Sequence, residues 1–175
     1  MIKTIFAVDN QDSGLGSFFS ECLQDILNYD NKSIELEILR SNSLQNDIVT
    51  TSKLNDITKF IFLAYSHGND DALAINIVTP YISSTINADK FKDSFFYTCS
   101  CHTGKILGKA LVDNGCSSYI GYNDKFTVWG YNTQPFVECA NYGFKLFLQG
   151  DDVDTVIKKM KDKYDEHFEN YNNDL

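Results

Sequence analysis

Arginine is nearly absent from this chain, with Arg40 its only example, and there are just two prolines and one tryptophan. Asp and Glu number 24 against 15 Lys and Arg, a formal net charge of −9. Phosphate backbones are gripped by basic patches, so this balance excludes a general nucleic-acid binder, while it suits solubility and would accept a basic peptide. No low-complexity tract or internal repeat interrupts a composition that is 43% hydrophobic and 14% aromatic, which excludes a disordered chain. No apolar run approaches a membrane span, and Met1 to Asp9 lack a signal-peptide core, so the expectation is a cytoplasmic protein without a membrane partner. The five cysteines, at 22, 99, 101, 116 and 139, are an odd number without secretory context, which points to free thiols. Cys99 and Cys101 stand one residue apart with no second pair at zinc spacing, so no metal and no cofactor is expected.

What is present reads as one α/β domain over residues 1–168, with a polar C-terminal tail over 169–175. Ile2 to Val8 predicts a buried strand that ends in a carboxylate-rich turn, Asp9-Asn10-Gln11-Asp12-Ser13-Gly14. Leu15, Phe18, Phe19, Cys22, Leu23, Ile26 and Leu27 then recur at helical spacing. A second strand is expected over Ile34 to Leu39, a helix around Ile48 to Ile57, and a third strand in the apolar run beginning at Lys59. Strand, helix, strand, helix, strand implies a mainly parallel sheet with right-handed crossovers. Leu73, Ile75 and Ile77 suit a short hairpin outside that sheet, and Ser117 to Tyr122 a fifth strand. Two more helices are expected, one from Gln134 to about Gly150 and one carrying Val153, Val156, Ile157, Met160 and Tyr164, with Asn170 to Leu175 frayed.

Two stretches carry chemistry. In KFIFLAYSHG, Lys59 to Gly68, an apolar strand ends at Ser66, His67 and Gly68; in SFFYTCSCHTG, Ser94 to Gly104, another ends at two thiols and a turn. Parallel neighbours in one sheet lie roughly 5 Å apart, which brings an imidazole and a thiol to the same edge. A helix expected to begin at Thr103-Gly104 would set Cys101 near its positive end and favour the thiolate. Cys101 is therefore the candidate nucleophile and His67 the candidate base, with the N–H groups of Gly68 and Cys101 as an oxyanion hole.

These residues resemble the caspase-like cysteine peptidases, the group of caspases, metacaspases, gingipain-like enzymes and CHAT domains. The Asp-x-Cys-His-Ser-Gly pattern of metacaspases is matched at Cys101, His102 and Gly104, keeps a hydroxyl at Thr103, and is departed from at Cys99. The Ser-Ala-Cys-x-Thr-Gly pattern of CHAT domains, followed by a helix, a strand and a further helix, is similar to Cys99 to Leu148. The resemblance spans roughly Lys59 to Asp165. It implies a three-layer α/β/α sandwich, endopeptidase activity through a Cys-His dyad without a fixed third acid, a protein or peptide substrate, and a sensor or regulatory protein as partner in a bacterial defence system.

Cys99 stands where metacaspases carry the Asp of their basic-specificity pocket, so a preference for basic residues needs other acids. The sheet edge offers Asp9 and Asp12, Asp70 and Asp71, and Asp124, of which Asp9 and Asp124 are the expected substrate-binding pair. The loop Tyr122 to Asn132, which carries Trp129, is expected to be mobile until substrate binds. The alternative is a non-catalytic interaction domain, either a decayed peptidase or a flavodoxin-like module with structural cysteines. A thiol-redox role is disfavoured, because redox pairs usually leave two residues between the thiols.

Overall fold

A computed structural model describes residues 1–29, 34–45 and 47–173. β1 (Ile2–Val8), β2 (Ile34–Arg40), β3 (Ile61–Tyr65), β7 (Phe95–Thr98) and β8 (Ser118–Ile120) form one five-stranded sheet in the order β2-β1-β3-β7-β8, and every pairing in it is parallel. β4 (His67–Gly68), β5 (Ala72–Ile75) and β6 (Thr79–Ser83) form a small antiparallel sheet beside it.

Alternation along each central strand divides the core in two. Phe6, Val8, Ile61, Leu63, Tyr65, Phe95 and Tyr97 point to one face, where they meet α1 (Gly16–Asn28), α5 (Gln134–Leu148) and α6 (Val153–Asn173). Ile5, Ala7, Phe62, Ala64 and Phe96 point to the other, against α2 (Ser41–Leu44), α3 (Asp47–Asn55), the 3₁₀ turn Ala88–Phe91, α4 (Leu107–Asp113) and the small sheet. A sheet covered on both faces needs strands that are apolar throughout, and all of β3 and β7 is buried.

Four details differ from the sequence reading. The short α2 is added between β2 and α3, and His67 belongs to the small sheet, since β3 ends at Tyr65. α4 begins only at Leu107, so five turn residues, 102–106, separate Cys101 from a seven-residue helix. The foremost N–H groups there, those of Ile106 and Leu107, both donate to the Asp70 carbonyl at 3.0 Å. α4 therefore does not present its first N–H groups to Cys101, and that argument for a thiolate falls. Finally, α6, whose first turn is capped by Asp152 accepting from the Thr155 N–H and hydroxyl, runs through Asn173, past the expected boundary at residue 168. Residues 174 and 175 of the expected frayed tail lie outside the described residues.

The order β2-β1-β3-β7-β8 has a reversal point. From β1 the chain crosses to β2 on one side; from β3 it crosses to β7 on the other. Loops therefore diverge at the carboxyl ends of β1 and β3, the edge at which open α/β sheets bind ligands. Among the described residues no helix is long and apolar enough to cross a membrane.

Candidate active site

The turn after β1 supplies the first side chain at this edge. Asp12 accepts from the Leu15 N–H at 2.6 Å and the Gly14 N–H at 2.9 Å through Oδ1, which closes the turn ahead of α1. Its Oδ2 lies 3.0 Å from Nε2 of His67, and its side chain is only 6% exposed. Burial pushes this carboxyl up, but the two backbone N–H groups and His67 outweigh it and hold Asp12 below its ordinary 3.8. An ionised carboxylate only accepts hydrogen bonds, so Nε2 carries the proton toward Asp12. Nδ1 is then the nitrogen of His67 left to exchange a proton. The edge of the ring also meets Phe19, centroids 6.1 Å apart.

A ladder of hydroxyls fastens the ends of β3 and β7 together. The Thr98 hydroxyl donates to the Ala64 carbonyl at 2.9 Å, the Cys99 N–H to the same carbonyl at 3.1 Å, and the Ser100 hydroxyl to the Ser66 carbonyl at 2.9 Å. Thr103, itself bonded by Tyr119, donates to the Ser100 carbonyl at 3.1 Å. These bonds hold the segment after β7, which carries Cys101, against the segment after β3, which carries His67. Cys101 is half-buried; Cys99 is buried, and burial, with the neighbouring Cys101, raises its thiol far above the ordinary range.

Gly68 is required by contact. A Cβ there would lie 2.7 Å from the Cys101 carbonyl oxygen, 2.7 Å from the Thr103 methyl and 2.9 Å from the Ser100 Cβ, closer than side chains pack. In the β4-β5 ladder the Asn69 N–H donates to the Ala72 carbonyl at 3.0 Å, so by antiparallel alternation the Gly68 N–H points away from β5. Cys101 lies in a turn outside every strand and helix, and among the described residues its N–H has no hydrogen-bond partner.

The expected pocket acids do not come together. Asp9 is 0% exposed: Oδ1 accepts from the Ser41 hydroxyl at 2.7 Å and Oδ2 from the Asn76 N–H at 3.0 Å. Its carboxylate ties the end of β1 to α2 and to the β5-β6 turn, so a substrate cation does not reach it, and the reading of Asp9 as a pocket acid is corrected. Asp124 is 95% exposed, with one oxygen on the Lys125 N–H. Sequence reasoning had Asp12 only among loose edge acids and missed its bond to His67, although an Asp two residues before a turn glycine is a signal for Asx-turn geometry. Among the described residues no group of three or more His, Cys, Asp or Glu side chains is arranged to hold a metal ion.

Comparison of the chain with protein-family models, with curated proteins and with solved structures finds no match.

Proposed function

We propose that this protein is a caspase-like cysteine endopeptidase in which Cys101 and His67 act as the dyad and Asp12 positions the imidazole. One observation carries the reading: a carboxylate-held histidine and a half-buried cysteine end adjacent parallel strands beside the reversal point of the sheet, with Gly68 packed on the nucleophile's own carbonyl. In this scheme His67 Nδ1 takes the thiol proton and the Cys101 sulfur attacks the peptide carbonyl carbon. The carbonyl π electrons move to oxygen, which accepts from the N–H groups of Gly68 and Cys101. Collapse of the tetrahedral intermediate breaks the C–N bond, and His67 hands its proton to the leaving amine. Water, deprotonated by His67, then attacks the thioester; the carboxylic acid leaves and Cys101 regains its proton.

Of the expected pair, only Asp124 is left to take a basic residue before the scissile bond, since Asp9 is sealed. A positional-scanning peptide library tests this part: a preference for Arg or Lys that Asp124→Asn abolishes supports it, and a preference for large apolar residues defeats it.

The activity itself is tested by labelling with a peptide acyloxymethylketone and mapping the modified residue. Label at Cys101, with turnover abolished in Cys101→Ala and His67→Ala but partly kept in Cys99→Ala, is the expected result. Label confined to Cys99, or normal turnover by Cys101→Ala, defeats the proposal.

A further inference from the structure

The loop after β8 lies across the nucleophile turn as a strap. The Gly104 N–H donates to the Tyr122 carbonyl at 3.0 Å and the His102 N–H to the Asp124 carbonyl at 3.2 Å. One further alternate residue along, Phe126 meets the thiol itself. Its N–H donates to Cys101 Sγ at 3.3 Å, and the Cys101 S–H points to its carbonyl oxygen at 3.7 Å. The backbone of a single residue thus satisfies the sulfur both as acceptor and as donor. Two consequences follow for the chemistry. The thiol proton is directed to an amide carbonyl, which cannot take it, instead of to His67. The space a substrate carbonyl would need against the sulfur is also held by the Phe126 peptide unit.

The ring of Phe126 anchors the strap. It packs against Tyr122, Phe18, Phe136 and Tyr164, at centroid distances of 5.4, 5.9, 6.3 and 6.4 Å. These partners belong to α1, α5, α6 and the strap's own start, so the capped arrangement is held from three helices at once. The other end is fixed by fit, since a Cβ at Gly104 would overlap Asn123 Oδ1 and stand 3.3 Å from the Tyr122 carbonyl oxygen.

We propose that residues 122–126 form an autoinhibitory strap, with the Phe126 peptide unit capping Cys101, and that the site works only when Phe126 is withdrawn from its aromatic seat. The strap regulates the peptidase site proposed above and rests on that reading for its biological sense, but its test does not. A nucleophile that reacts only from a minor open state reacts in proportion to that state's population, so weakening the closed state raises the rate directly.

The experiment is alkylation of the full chain with iodoacetamide, followed cysteine by cysteine by peptide mass mapping, in wild type, Phe126→Ala and Gly104→Ala. Cys101 is expected to react about tenfold faster in both variants, with Cys99 unchanged, and Asn123→Ala added to Gly104→Ala should return the rate toward wild type. Should Phe126→Ala fail to fold for loss of its ring contacts, Gly104→Ala decides alone. A Cys101 rate equal to or below wild type in either folded variant overturns the strap. Faster alkylation with no peptide turnover in any variant leaves the strap standing and removes the peptidase reading instead.

Discussion

Asp12 holds the His67 ring in a single orientation. Two backbone N–H groups fix Oδ1, so Oδ2 can sit 3.0 Å from Nε2 without freedom to drift. Asp12→Asn preserves shape, but an amide that turns its nitrogen toward Nε2 forces that nitrogen to accept, which reverses the tautomer. Turnover is expected to fall by about 10²- to 10⁴-fold with KM little changed, and Asp12→Glu should recover part of it. Steady-state kinetics across pH is the check. A purely structural role would lower the amount of folded enzyme equally for both variants and leave the shape of the pH profile alone.

Among the elements, the junction of β1, α2 and the β5-β6 turn is where stability concentrates near the site. Asp9→Ala would deprive the Asn76 N–H of its acceptor and leave the Ser41 hydroxyl only the longer bond to Asn10 Oδ1, at 3.3 Å. A buried donor left unsatisfied costs about 1–3 kcal/mol, so a loss of about 1–3 kcal/mol in urea unfolding is expected, with KM for a basic peptide unaffected in whatever protein remains folded. A rise in KM at unchanged stability would restore Asp9 to the substrate pocket. The same turn carries a local strain. Ile77 has φ +72 with its side chain 67% exposed, a left-handed conformation that costs a β-branched residue about 1–2 kcal/mol. Glycine loses about 0.5–1 kcal/mol of that gain to chain entropy, so Ile77→Gly is expected to raise stability by about 0.5–1 kcal/mol. A lower urea midpoint would show that the exposed isoleucine makes contacts outweighing its backbone strain.

For the molecule as a whole, the carboxylates held below their ordinary values set its response to acid. Asp12 is one. At Glu37 the hydrogen bond from Lys53 leads, opposed by burial and reinforced by Lys3, tying α3 and β1 to the edge strand β2. At Glu138 burial works upward, but Lys163 and His167 outweigh it and join α5 to α6. A carboxylate whose folded value is depressed contributes stability that is full above its unfolded value and is lost as pH falls through the folded one. With ordinary values of 3.8 and 4.5, these groups contribute fully at pH 6 and begin to lose their share only below about 4.5. Thermal melts from pH 2 to 7 should therefore show the acid loss below that point, reduced in a Glu37→Gln, Glu138→Gln double variant. Equal loss in the variant and the wild type would place the acid sensitivity elsewhere.

Strand, helix and turn were legible from residue order alone, because alternation and helical spacing are local. The apolar runs into His67 and Cys101 read as two strands ending at one edge, and the parallel sheet with β3 next to β7 bears out that adjacency. Three things lay beyond local pattern. The delayed start of α4 depends on Asp70, more than thirty residues upstream, whose carbonyl takes the first helical N–H groups. Asp9 and Asp12 stand three residues apart in one turn, yet the approach of Ser41, Asn76 and His67 from other segments buries one as a structural tie and gives the other a histidine. Phe126 reads in sequence as one more loop aromatic. It meets the sulfur only because three helices close around its ring and so fix where its backbone must lie. Residue order determined which side chains reach the sheet edge, since periodicity needs only neighbours in the chain; which of them touch was decided by packing between segments far apart in it.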